Sequence, residues 1–293
     1  GDLFEMQDEI VTRLARALNV ELIAAEARRA ERSPDPDAVD LTFRGLAAYN
    51  RGRGSDNLIE AAQFFEQALA LDQGNVEALA GLAMAKFMLA NTFLNWDRAG
   101  PVAAAEEAAT RALTLSPDHA SAHMALGWVY TYTNRAALAV AQCEETIALD
   151  RNQALAYAAM GLAKVCLGRA AETEDHTVQA LRLSPRDTFT YLWCVTAGTA
   201  KLFLGRDDEA VGWLRRSIDA NRTFPLAHFF LAAALAHQGN TDEAQAAARA
   251  GVALAPAFTV RRFRDEPLSD NPIYLMQRER IYEGMRMAGV PTE

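Results

Sequence analysis

Residues 120–187 read ASAHMALGWVYTYTNRAALAVAQCEETIALDRNQ and then ALAYAAMGLAKVCLGRAAETEDHTVQALRLSPRD, two runs of 34 residues that align without a gap. In register are Leu126-Gly127 with Met160-Gly161, Tyr130 with Lys164, Leu149 with Leu183, and the turn residues Arg151 and Pro185. The layout predicts a helix A, a turn and a helix B in each run. A small residue at the eighth place lets helix A touch its neighbours closely, and an alanine near the twentieth and twenty-seventh places does the same for helix B. The proline stops helix B, because it has no N–H to donate and its ring clashes with the preceding turn. A hairpin of this kind cannot bury its apolar face alone and must stack on copies of itself.

Working outward, the pattern recurs from Ala38 to Phe258. A first repeat begins near Ala38, with Gly45 on helix A and Ala61, Phe65 and Ala68 on helix B; the stretch RGRGSDN is a lengthened loop between them. Its glycines follow no strand, so they form no phosphate cradle. A second repeat has Ala83 at the eighth place and an insertion around Asn91 to Pro101 that carries Phe93, Leu94 and Trp96. Two readings of that insertion stand: it folds back on the stack, or it displays aromatics to a partner. The fifth repeat has Gly198 and the sixth Ala232 at the eighth place.

The ends differ from the repeats. Residues 2–31 read as one helix with Leu3, Met6, Ile10, Leu14 and Leu18 along a stripe. Either the stripe packs on the first repeat, or it is the uncovered end of a preceding α/β domain, in which case it is a self-association surface. Ser33-Pro34-Asp35-Pro36-Asp37 breaks the helix. After Pro256 the pattern fails, and Ile273 to Met287 form a final helix with Tyr274, Ile281 and Met285 on one side. Such a helix covers the last hairpin's core face. The organisation expected is therefore 1–37 helix and linker, 38–258 six repeats, and 259–293 a capping helix.

Composition agrees. The chain has 293 residues, is 51% hydrophobic and carries a net charge of −9. That charge disfavours a nucleic-acid surface, which needs clustered cations to displace counterions. No apolar run reaches the roughly 20 residues of a membrane span, and nothing at the start reads as a signal peptide; the expectation is a cytoplasmic protein. The three cysteines, Cys143, Cys166 and Cys194, sit at packing places and read as small buried hydrophobes.

The 34-residue layout resembles the tetratricopeptide repeat family, which implies an all-α, right-handed superhelix of about six hairpins, an α-solenoid, with extra helices at both ends. A narrower resemblance rests on GDLFEMQDEIVTRLARAL, DLTFRGLAAYNRG, the extended second repeat and ERIYEGMRMAGVPTE. These are similar to the C-terminal region of bacterial signalling proteins with an adenylate cyclase or winged-helix DNA-binding domain ahead of the repeats. None of the cyclase's metal-binding aspartates and no recognition helix lies in this sequence, so the resemblance assigns neither activity to it.

No catalytic motif is present: no HExxH, no GxSxG, no P-loop. His119 and His123 stand four apart but lack a third ligand and read as packing. Asp207-Asp208-Glu209 opens a helix B, and Arg261, Arg262 and Arg264 lie at a helix end, where each offsets a helix dipole. The reading is a non-enzyme without cofactor or metal. What remains is the face of the A helices. Its places hold Met84, Phe87 and Met88, then Met124, Trp128, Thr131 and Tyr132, then Leu162, Val165 and Cys166, then Val195, Thr199, Leu202 and Phe203, and finally Phe229, Ala233 and His237. An apolar face of this kind excludes a carboxylate clamp of Lys, Arg and Asn. Three readings stand: a groove for an apolar or amphipathic segment of a protein partner, a cavity sensing a small apolar ligand, or a face filled by its own aromatics.

Overall fold

The structure, a computed structural model, describes residues 18–52, 55–90 and 99–293. The expectations for Leu3, Met6, Ile10 and Leu14, and for Phe93, Leu94 and Trp96, lie outside these residues. Among the described residues there is no strand. Helix α1 covers residues 18–30. It is followed by six pairs in chain order: α2 (Ala38–Asn50) and α3 (Ser55–Leu71), α4 (Val76–Ala90) and α5 (Ala99–Leu115), α6 (Ala120–Tyr132) and α7 (Ala136–Leu149), α8 (Ala154–Cys166) and α9 (Thr173–Leu183), α10 (Thr190–Phe203) and α11 (Asp207–Ala220), α12 (Pro225–His237) and α13 (Thr241–Leu254). A short 3-10 turn, Ala170–Glu172, leads into α9, and α14 (Val260–Asp265) and α15 (Pro272–Met287) close the chain.

The turn inside four of the pairs has a common chemistry. Asn134, Gly168, Gly205 and Gly239 all take positive φ (57°, 74°, 69° and 79°). The next N–H then reaches back five residues: Arg135 to Tyr130 O, Arg169 to Lys164 O, Arg206 to Lys201 O and Asn240 to Leu235 O, at 2.8–2.9 Å. This is the left-handed C-terminal cap that satisfies the last carbonyls of a helix and turns the chain. It ends helix A at one place in four hairpins, which fixes where helix B begins.

The chain packs as two compact units, residues 1–129 with 141–156, and residues 130–140 with 157–293. In the first, α2, α3, α4 and α5 pack in chain order around a cluster that includes Leu41, Ala61, Phe65, Ala78 and Ala85. Phe65 is fully buried because two glycines make room for it: a Cβ at Gly45 or at Gly81 would stand 2.6 and 2.4 Å from its ring. In the second, α9, α10, α11, α12 and α13 pack in chain order. A Cβ at Gly198 would meet Leu214 at 2.7 Å, and one at Gly251 would meet the Phe229 ring at 2.7 Å. Phe229 in turn stacks on Phe258 at 4.0 Å.

Gly161 is the eighth residue of its hairpin, as read from the sequence, and faces Thr173, whose Oγ1 donates to the Gly161 carbonyl at 3.1 Å. A Cβ here would be 3.4 Å from the Thr173 carbonyl oxygen, an ordinary contact. Leucine continues into the α9 backbone. Gly161→Leu is expected to cost about 1–3 kcal/mol through overpacking, and Gly161→Ala much less; urea unfolding of the two variants checks the contrast.

Candidate functional site

The A-helix places read from the sequence divide between the units. Met84, Phe87, Met88, Met124 and Trp128 are in the first, and all five are buried. The structure brings Phe87 and Trp128 together, with ring centroids 5.8 Å apart. In the second unit Val165, Leu202, Phe203 and Phe229 are buried, while Tyr132, Leu162 and His237 are half-buried. With Thr131, Cys166, Val195 and Ala233 also buried and Thr199 half-buried, the side chain is a packing contact at thirteen of the seventeen places as the chain stands. The physical reason is that the A helices are apolar all round: ten of the thirteen residues of α12 are buried.

Part of this burial comes from α15. It lies against α12 and α10, on their A-helix side, where Phe203 and His237 are. Tyr274 meets the Phe203 ring edge-on at 5.7 Å. His237 Nε2 donates to the Arg280 carbonyl at 2.8 Å. Gly284 sits directly on α12, where a Cβ would fall 2.7 Å from the Ala233 carbonyl oxygen. The start of the helix is fixed by Asn271, whose Oδ1 accepts from the N–H groups of Ile273 and Tyr274 at 2.9 and 3.2 Å. Asn134 reaches the same loop, accepting from Asp270 N–H at 3.0 Å. Arg280 donates to Asp207. At the other end Val260 and Arg261 N–H donate to the Pro291 and Thr292 carbonyls at 2.9 and 3.1 Å, tying the C-terminal tail to α14. The sequence pattern put Tyr274, Ile281 and Met285 on one side of the last helix, and all three are buried.

Arg278 is the centre of the seat. It is buried, donates from Nη2 to the Phe263 carbonyl at 2.6 Å, and lies 4.3, 5.4 and 5.8 Å from the ring centroids of Phe263, Tyr282 and Tyr274. Desolvation pushes the Tyr274 hydroxyl up to about 12 and raises that of Tyr282 as well, so both rings stay neutral beside the guanidinium.

A charge motif that periodicity alone does not expose repeats in this unit: Lys164, Arg169 and Glu172, then Lys201, Arg206 and Glu209, at identical spacings. Lys164 pairs with Glu172 at 3.3 Å, and Lys201 pairs with both Glu209 and Glu174, the latter at 2.6 Å. Trp213 Nε1 donates to the other Glu174 oxygen at 3.0 Å. Burial lowers the Lys201 pKa, but the hydrogen bonds with Glu174 and Glu209 outweigh it and the net shift is upward. The Lys201 hydrogen bond holds the Glu174 carboxyl below its ordinary 4.5. A carboxylate depressed in the folded state stabilises above its unfolded pKa and loses that contribution as pH falls through the folded one. Stability is expected to fall below about pH 4.5, by no more than about 1 kcal/mol from this half-exposed group; urea midpoints at several pH values should flatten in Lys201→Met.

The remaining candidates resolve as packing. His123 Nε2 donates to the Pro117 carbonyl at 2.8 Å, and its other ring nitrogen meets the Gln142 side chain, while His119 meets Glu77 at 3.0 Å. Among the described residues no group of three or more His, Cys, Asp or Glu side chains could hold a metal, and no helix is long and apolar enough to cross a membrane. Burial pushes Cys143 and Cys166 up to about 12 and Cys194 to about 11, so none is a thiolate nucleophile near neutral pH. Arg264 pairs with Glu279 at 2.6 Å and Arg261 with Glu293 at 3.7 Å. An open cleft of about 390 Å³ lies among α11, α12 and α13, with Ile218, Leu231 and Leu235 below and an Arg215–Glu243 pair of 2.9 Å at its rim.

No family model matches the chain, and no curated protein matches its sequence. Solved structures do. The chain is similar to a chain of the APC/C hetero-tetramer Cut9–Hcn1, with 16% identity and a TM-score of 0.67 over 94% of this chain and 47% of that one. It is also similar to the human IFIT1 dimer with m7Gppp-AAAA, at 17% identity and a TM-score of 0.66 over 96% and 66% of the two chains. A tetratricopeptide repeat protein from Parabacteroides merdae matches at 14% identity and a TM-score of 0.54, over 96% and 98%. The chain thus spans about half the length of the first and two thirds of the second. At such identities the likeness is one of fold. With the 34-residue period, the small residue at its eighth place and the left-handed turn repeated from hairpin to hairpin, it identifies the architecture: the chain has the all-α tetratricopeptide repeat fold, of the α-solenoid class.

Proposed function

We propose that the chain is a non-catalytic interaction scaffold that takes an apolar or amphipathic helical segment of a protein partner on its A-helix face. The observation that carries this reading is α15, an amphipathic helix lying on α10 and α12, since a surface that seats one helix has the shape and chemistry to seat another. The half-buried Tyr132 and Leu162 are the accessible part of that face. The resemblance of the chain's ends to bacterial signalling proteins supports a place as the regulatory region of such a protein. Exposed Leu18, Val20 and Leu22 on α1 support self-association through the N-terminal helix. Sensing of a small ligand is the alternative, and the cleft among α11, α12 and α13 favours it.

The test is selection of helical peptides from a displayed library on the full chain. Selected peptides are expected to be amphipathic, and their affinity should change little between low and high salt, because the face has no charged clamp to be screened. Tyr132→Ala and Leu162→Glu should each weaken binding by about 2 kcal/mol. Peptides bound with full affinity by both variants would reject the site. A small molecule retained in native mass spectrometry would favour the alternative.

A further inference from the structure

The seat of α15 has two sides that do not agree. Shape fits closely: Gly284 sits directly on the α12 backbone at Ala233, and Gly168, at φ 74°, makes room for Ile273, whose side chain lies 2.7 Å from where a Cβ would be. Polar groups fit less well. Gln277 Oε1, Arg278 Nη1 and Arg280 Nε of α15, and Asp207 Oδ1 at the head of α11, are buried without a hydrogen-bond partner. Each forfeits its hydration while α15 is seated. The helix also stands outside the repeat period and is joined to α14 by residues 266–271, which contain Pro267, a buried Ser269 and no helix.

We infer that α15 is a resident ligand of the second unit's A-helix face, an autoinhibitory helix that a partner helix of the same chemistry displaces. That partner carries an aromatic, an arginine and an aromatic at four-residue steps, as in Tyr274, Arg278 and Tyr282, followed by a small residue for the Ala233 crossing, as in Gly284. It receives Phe203 on an aromatic edge, His237 at a backbone carbonyl and Asp207 on a cation. This inference rests on the scaffold reading and specifies the partner and the regulation of that site. Its energetics are those of a competition: the apparent affinity of a helix in trans is reduced by the fraction of molecules whose face is open.

The probe is a labelled synthetic peptide of residues 270–293, titrated against the full chain and against Gly284→Leu, whose own α15 cannot seat because the new side chain meets backbone. The variant should bind the peptide at least about 10-fold more tightly than the parent. A peptide carrying the same Gly284→Leu change should bind neither. Arg280→Ala, which only loosens the latch to Asp207, is the milder partner variant; it should lie between the two and preserve the fold should Gly284→Leu impair it. Equal binding by the parent and a folded variant, or no binding by either, overturns the inference. A library peptide that binds the parent while α15 keeps its amide protection also overturns it, yet leaves the scaffold reading standing. Failure of every helical peptide, including this one, would defeat both.

Discussion

Phe65→Ala is expected to destabilise the chain by about 3–5 kcal/mol, the cost of removing a fully buried phenylalanine from a site that cannot collapse. The site cannot collapse because α2 and α4 present glycines to the ring, Gly45 and Gly81, and neither has a side chain to move into the vacated space. The reciprocal change, Gly45→Leu, should cost about 1–3 kcal/mol by overpacking. Together the two should be far less damaging than their sum, since the leucine occupies the volume that the ring leaves; residues sharing one space are non-additive. Urea unfolding of the two single variants and the double variant measures the coupling. Additive losses would show that the glycines and the ring do not share that space.

Trp128→Ala should lower stability by about 3–5 kcal/mol. Trp128 is 5% exposed and packs its ring against Phe87 in the first unit. Tyr132, one turn later, is half-buried and should cost about 1 kcal/mol or less to truncate, in the range of surface changes. The pair separates the two roles that an A-helix aromatic can have: Trp128 is expected to act on the melting temperature and Tyr132 on binding of a helical peptide. Thermal unfolding and peptide titration on both variants give the answer, and equal stability losses would contradict the assignment.

The hairpins were legible because their signals are local and periodic. The eighth-place residues Gly45 and Gly198 mark close contacts with Phe65 and Leu214, whereas Gly161 meets Thr173 at an ordinary distance, and α6 and α8 begin 34 residues apart, at Ala120 and Ala154. The direction in which an A-helix side chain points was harder to read. In α4 and α12 nearly every side is apolar, so pattern cannot separate a residue facing a partner from one facing the next helix: Phe87 and Phe229 are core, whereas His237 meets α15. The left-handed turn hides at Asn134, because three other hairpins use glycine there, at Gly168, Gly205 and Gly239, and asparagine satisfies the same φ with a different side chain. The need to cover the last hairpin's core face placed α15 at that hairpin but did not point to α10, which it also meets. Its stripe of Tyr274, Ile281 and Met285 says that one side is covered. The paired spacing of Lys164 with Glu172 and of Lys201 with Glu209 was available as a signal, because the eight-residue offset recurs, but it is a charge pattern that an apolar repeat search passes over.

Hydrogen–deuterium exchange of the full chain, with and without a selected amphipathic peptide, tests the helix-receiving face most directly. The account predicts slower exchange in α8, α10 and α12 on binding, together with faster exchange in α15 as it leaves its seat. Protection confined to other helices, or protection of α10 and α12 with α15 unchanged, would contradict it.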